Sequence, residues 1–249
     1  MRLAVLSDVH ANLPALEAVL RDLEGLQVDR VVCLGDLVGY NAQPNECLDR
    51  LRHRVDVCVA GNHDREALGL PVAGYTNRQA KLTLDWTARS LSAENASYLR
   101  SLPNIAVHES FVAVHGCFLN PDHYYGYVTS SMLPDNLEVI AQRDDLPKLA
   151  FCGHTHQPLL ACLEGSQVRE VPLGEARASW HASSRVVLVN PGSVGQPRDR
   201  DPRASYAVVD TTQREVLLRR VPYDIQATMA AIEAAGLPSA LAERLPRGT

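Results

Sequence analysis

Residues 3–24 read LAVLSDVHANLPALEAVLRDLE, and this stretch carries the design that recurs along the chain. Leu3 to Leu6 form a short apolar run of strand length that stops at Ser7-Asp8. Asn12 follows as an N-cap, Pro14 fits a first helical turn, and Leu13, Leu16, Val19, Leu20 and Leu23 keep the helical period. Five more apolar runs end as abruptly. Val31 to Leu34 stops at Gly35-Asp36, and Val55 to Ala60 at Gly61-Asn62-His63-Asp64. Phe111 to Val114 stops at His115-Gly116, Leu149 to Cys152 at Gly153-His154-Thr155-His156, and Val186 to Val189 at Asn190-Pro191-Gly192. Helical patterns cover 44–52 and 78–100, the second predicted as two helices broken near Ser92, and a last one covers about 224–235. Strands alternating with helices predict an α/β fold. Ala207 to Asp210 and Glu215 to Val221 read as a closing antiparallel pair around Thr211-Thr212-Gln213.

In α/β sheets ligands bind beyond the carboxyl ends of the strands. Here those ends carry Asp8, His10, Asp36, Asn62, His115, His154 and His156, and they hold five of the nine histidines once His63 is counted. Each piece alone reads as an ordinary turn, cap or core histidine. Scattered histidines would not gather at strand ends, so together they predict a metal or proton-transfer site. On an extended segment His154 and His156 would point to one side. The glycines beside these residues let backbone approach closely.

Composition narrows the class. With 249 residues, 46% hydrophobic and 21% charged, the chain has the makeup of a soluble globular protein, read as one domain over 1–249. The segment from Gly236, with Pro238, Pro246 and Gly248, is expected to be loosely ordered. A net charge of −5 argues against duplex nucleic acid as a partner. No run reaches membrane-spanning length, and MRLAVLSD does not read as a signal peptide. The six cysteines (Cys33, Cys47, Cys58, Cys117, Cys152 and Cys162) form no C-x-x-C pair, which fits a reducing cytoplasm. A homo-oligomer is left open.

D-x-H at 8–10, G-D at 35–36, G-N-H-D at 61–64, H-G at 115–116 and G-H-T-H at 153–156, in this order and with these gaps, resemble the calcineurin-like metallophosphoesterase superfamily. The match spans residues 3–210, and the segment NPGSVGQPRD at 190–199 looks like its bacterial and archaeal phosphodiesterase branch. The resemblance implies a four-layer α/β/β/α sandwich of two mixed sheets. It implies two divalent transition metal ions: Asp8, His10 and His156 on one, Asn62, His115 and His154 on the other, and Asp36 bridging. Mn²⁺ is the first choice, with Fe, Ni or Zn also suited to these donors. It implies attack of a metal-activated hydroxide on a phosphate ester, with His63 as general acid and Asp64 orienting it.

The substrate is less legible. Val38-Gly39-Tyr40 replaces the Arg-containing segment found in the superfamily's protein phosphatases, which puts a phosphoprotein in doubt. The irregular stretch 116–136 holds Asp122, His123, Tyr124, Tyr125 and Tyr127; its rings could stack on a nucleobase or pack the loop down. His123 and Tyr124 are the candidate substrate contacts there. Among Arg198, Arg200 and Arg203, Arg198 is the candidate phosphate contact, set against a reading of the stretch as a solvated charged loop with Asp199 and Asp201. The expected function is a phosphodiesterase acting on a small or nucleotide-like diester. The rivals are a phosphomonoesterase or protein phosphatase and, from another class, a non-catalytic interaction scaffold.

Overall fold

A computed structural model describes residues 1–72 and 78–249. The strands in chain order are β1 (Arg2–Leu6), β2 (Arg30–Cys33), β3 (Val57–Cys58), β4 (Ile105–His108), β5 (Phe111–Val114) and β6 (Leu149–Phe151). They continue with β7 (Pro158–Glu164), β8 (Gln167–Val171), β9 (Arg177–Ser179), β10 (Val186–Pro191), β11 (Ala204–Asp210) and β12 (Glu215–Val221). The helices are α1 (Leu13–Glu24), α2 (Pro44–Leu51), α3 (Asn62–Ala67), α4 (Arg78–Ser90), α5 (Ala93–Ser101), α6 (Leu133–Gln142), α7 (Ile225–Ala234) and α8 (Ser239–Arg244). As expected, Asn12 caps α1, accepting from the Ala15 N–H at 3.2 Å, and Ser92 separates α4 from α5 as the cap of the latter.

The strands form two mixed six-stranded sheets, ordered β3-β2-β1-β11-β12-β9 and β4-β5-β6-β10-β7-β8. In the first, β1 runs parallel to β2 and β2 to the edge strand β3; in the second, β6 runs parallel to both β5 and β10. Side-chain alternation builds the layers. Leu3 and Val5 face the second sheet and meet Phe111, Ala113, Phe151, Val187 and Val189. Ala4 and Leu6 face the other way, under Leu16 and Val19 of α1. On the far side Val112, Val114, Ala150 and Leu188 lie under Leu133, Leu137 and Ile140 of α6. The result is the helix–sheet–sheet–helix sandwich. Central strands buried on both faces are why the sequence shows unbroken apolar runs.

Three expectations change. The run Val55–Ala60 keeps ladder pairing only over β3, because α3 starts at Asn62 and the chain must turn first. The irregular stretch 116–136 ends inside α6, which begins at Leu133. The segment from Gly236 is not loose: Leu237, Leu241, Ala242 and Leu245 are buried against Tyr40, Ala80 and Ile232. Leu241 in α8 and Leu245, which caps its end, lie four residues apart and are buried in the same cluster. No helix among the described residues is long and apolar enough to cross a membrane.

Candidate metal centre

The parallel strands of both sheets bring their carboxyl ends to one edge, and there the chain turns sharply. Asp8, His10, Asp36, His154 and His156 all have left-handed backbone, with φ between 48° and 66°. Such conformations cost roughly 1–3 kcal/mol each and persist where the surroundings over-determine them. His154 and His156 are therefore not on an extended segment, and they serve different groups. Asp8, His10 and His156 place ligand atoms within 4.8 Å of one another, as do Asp36, His115 and His154.

Hydrogen bonds fix which atoms face inward. Nδ1–H of His10 donates to the Val38 carbonyl at 3.1 Å, that of His115 to Leu34 at 2.8 Å, and that of His156 to Gln196 at 2.5 Å. A carbonyl only accepts, so in the neutral ring each Nε2 carries a lone pair. Yet Nε2 of His10 lies 3.1 Å from Nε2 of His156, and Nε2 of His115 lies 3.0 Å from Nδ1 of His154. The first pair can be reconciled only by a cation or an extra proton between them. Asp36 Oδ2 sits between the sets, 3.6 Å from His10 Nε2 and 3.3 Å from His115 Nε2. Asp8 has Oδ2 occupied by the Ser7 hydroxyl at 2.6 Å and the His154 N–H at 3.1 Å. Its Oδ1 is buried, 3.2 Å from His156 Nε2, with no hydrogen-bond partner among the described residues. Asn62, the first residue of α3, donates from Nδ2 to Glu66 at 3.3 Å and leaves Oδ1 buried and unpartnered among the described residues.

Electrostatics points the same way. Asp8 and Asp36 are buried, and among the described residues no Lys or Arg pairs with either. Two such carboxylates are costly without a compensating cation. Burial, and then His115, push His154 down to about 3, and burial holds His10 well below the usual imidazole range, so both offer neutral nitrogen. At His115 burial acts downward, but the Asp36 carboxylate outweighs it and lifts the group to about 9. Anionic oxygen, amide oxygen and neutral imidazole make a donor set suited to divalent transition metals.

His63 is buried beside this set. Its backbone N–H donates to Asp36 Oδ1 at 2.8 Å, and its ring lies 4.5 Å from that of Tyr40 and 4.8 Å from that of His10, centroid to centroid. It also falls within ligand range of His10 and Asp36, so geometry alone allows it to coordinate. Asp64 does not orient it. Asp64 Oδ1 accepts from the Leu37 and Val38 N–H groups at 2.8 and 3.2 Å, and Oδ2 from Gly61 at 2.9 Å, while His63 Nδ1 has no hydrogen-bond partner among the described residues. Asp64 ties together the two loops that present Asp36 and Asn62. What holds the His63 ring is packing over Gly39, whose φ is +88° and where an added Cβ would lie 2.3 Å from Nδ1.

Pairing removes Arg203 from the three candidates, while Arg200, like Arg198, has no carboxylate partner among the described residues. Arg203 binds Asp201 and Glu175, and Arg220 binds Asp199. Arg198 has no carboxylate partner among the described residues; its Nη2 donates to Gln196 Oε1 at 3.0 Å and to the Tyr40 hydroxyl at 3.3 Å. Tyr124 is not a surface contact: it is buried against Phe118 in the outer core of the second sheet. His123 stacks on Tyr125, which itself stands 6.1 Å from His115, so His123 lies one ring farther out. The aromatic of this loop that stacks on a candidate ligand is Tyr127, 4.2 Å from the His154 imidazole and 49% exposed. Within NPGSVGQPRD, Gln196 fixes His156 through its carbonyl and Ser193 Oγ donates to the Asp8 carbonyl at 2.8 Å. Only the density of Gly and Pro there signalled a tight loop.

Residues 1–214 match the calcineurin-like phosphoesterase superfamily domain. The chain is 35% identical over 243 residues to an uncharacterized protein of Methanocaldococcus jannaschii, covering 98% of this chain and 96% of that one. It is 26% identical over 232 residues to the phosphodiesterase YfcE of Escherichia coli, covering 87% and 91%. Among solved structures, a metallophosphoesterase from Sphaerobacter thermophilus superposes with TM-score 0.85 at 37% identity, over 100% of this chain and 99% of the other.

Proposed function

The chain belongs to the calcineurin-like phosphoesterase superfamily, a family of metal-dependent hydrolases of phosphate esters, and from that premise we propose that it is a phosphodiesterase with a dinuclear centre acting on small, nucleotide-like diesters. Asp8, His10 and His156 would hold one ion and Asn62, His115 and His154 the other, with Asp36 placed between the two sets. The observation that carries this reading is the facing of the His10 and His156 lone pairs, 3.1 Å apart, with the buried Asp36 carboxylate between that pair and His115. Mn²⁺ is our first choice, with Fe, Ni and Zn accepted by the same donors. When bound, the two ions draw charge from the phosphoryl oxygens and acidify water near neutral pH.

The chain's own residues do the rest. Backbone carbonyls at Leu34, Val38 and Gln196 lock three imidazoles in the ligating tautomer. Arg198, free of carboxylates, supplies a fork of donors to a non-bridging phosphate oxygen. His63 passes a proton to the leaving oxygen. The diester preference is supported by the similarity to YfcE.

The test is His63→Ala. Turnover of a diester with an alkoxide leaving group, such as a 2′,3′-cyclic nucleotide, falls about 10²–10⁴-fold. A nitrophenyl diester, whose leaving group needs little protonation, loses far less, and metal content stays near wild type. Equal losses on both substrates would remove the acid role. An aryl monophosphate turned over faster than a bis-aryl phosphate would replace the diesterase with a monoesterase.

A further inference from the structure

Beside His154 a cleft of about 530 Å³ opens between the loop carrying Tyr127 to Ser130 and the start of β7. We propose that this cleft is a nucleoside subsite, in which a base stacks on Tyr127 while its phosphate lies toward Arg198; the proposal rests on the phosphodiesterase reading above. One face of the Tyr127 ring is taken by the His154 imidazole, at 4.2 Å and an interplanar angle of 24°. Tyr127 is still 49% exposed and lines the cleft, so ring surface there is open to a planar group. The stack on His154 also fixes the distance between that planar group and the metal centre.

Charge divides the cleft. Arg198 lines one part of it and has no carboxylate partner among the described residues. Glu170 lines another, with Ser130 Oγ donating to it at 3.1 Å, and Gln157 and Thr129 add further polar groups. A cation and a carboxylate in one cleft suit a phosphate joined to a neutral base with amino donors. They do not suit a second phosphate beside Glu170, which rules against inorganic polyphosphate as the occupant. The volume lies in the range of small-ligand pockets and accommodates one nucleoside.

Two nitrophenyl diesters that share a leaving group separate this subsite from the chemistry: adenosine 5′-(p-nitrophenyl) phosphate and methyl p-nitrophenyl phosphate, assayed with the Mn²⁺-supplemented protein. The wild type prefers the adenosine diester in kcat/KM. Tyr127→Ala narrows that ratio by about 5- to 150-fold, the range that base–aromatic stacking spans, and Tyr127→Phe preserves it. Taking the ratio cancels any effect of the truncation on the neighbouring His154. A ratio unchanged in Tyr127→Ala overturns the subsite. A wild type that hydrolyses neither diester overturns the esterase reading instead. The subsite is then read by binding alone: adenosine 5′-monophosphate binds the wild type at least about 5-fold more tightly than inorganic phosphate does, and Tyr127→Ala loses the difference. Equal affinities in the wild type overturn it.

Discussion

Replacing Gly39 by alanine places a Cβ atom 2.3 Å from Nδ1 of His63. Ordinary nonbonded contact begins near ~3.5 Å, so the ring must retreat by about 1 Å. It has little room to do so, because His63 is buried and flanked by the rings of Tyr40 and His10. The backbone adds its own cost: φ at position 39 is +88°, and a non-glycine residue held in a sparsely populated region costs about 1–3 kcal/mol. A misplacement of about 1 Å in catalytic geometry can lower a rate about 10²-fold. Gly39→Ala should therefore lower kcat on an alkoxide diester about 10²-fold, with a modest fall in Tm and with metal content retained. The assay is steady-state turnover of a 2′,3′-cyclic nucleotide at saturating Mn²⁺, with metal analysis on the same sample. A kcat within about threefold of wild type in a destabilised protein would show that the ring's position does not govern turnover. Loss of metal in step with activity would make His63 a ligand, as its distance from His10 and Asp36 permits.

Other perturbations probe separate links. Arg198→Ala should raise KM for diesters about tenfold or more with metal content unchanged, since hydrogen bonds to a charged group are worth about 1.5–3 kcal/mol; unchanged kinetics would remove its phosphate contact. Leu241→Ala should cost about 2–3 kcal/mol in urea unfolding, because Leu241 is 1% exposed in the C-terminal cluster; a loss under about 0.5 kcal/mol would return that segment to the loosely ordered state. Asp22 joins α1 to the first sheet, accepting from Arg219 at 2.6 and 3.0 Å and from the Tyr206 hydroxyl at 2.5 Å. Burial pushes its pKa up, but Arg219 and Tyr206 outweigh that and hold it below the usual carboxylate value. The resulting stability is present above the unfolded value of about 3.9 and is lost as pH falls through the folded one. Asp22→Asn should cost about 1–2 kcal/mol at pH 7, discounted for partial exposure, and should flatten the acid limb of a stability–pH curve.

The strand ends were legible in sequence for a physical reason. Central strands covered on both sides must be apolar throughout, so their polar ends stand out. The edge strands of the second sheet give no such contrast: neither β8 nor β4 has a fully buried residue. Helix α6 was hidden because Pro134 and the polar run before it read as loop, although Pro in a first turn is compatible with a helix. Asp64 was misread because adjacency in sequence does not mean adjacency of side chains; on a helix, neighbours i and i+1 do not face each other. The groups that set the histidine tautomers are backbone carbonyls of Leu34, Val38 and Gln196, which no residue type announces. Tyr127 and Tyr124 are alike in composition and opposite in placement, and only the packing of Tyr124 against Phe118 tells them apart.

The central claim, two ions spanned by Asp36 and used for ester hydrolysis, is tested most directly by metal analysis paired with diester turnover, on the wild type and on Asp36→Asn. The account predicts two equivalents of divalent transition metal per wild-type chain, measurable hydrolysis, and loss of metal and rate together in Asp36→Asn. A fully metallated wild type inert on every diester tested, or an Asp36→Asn variant that keeps both ions and its rate, would contradict it.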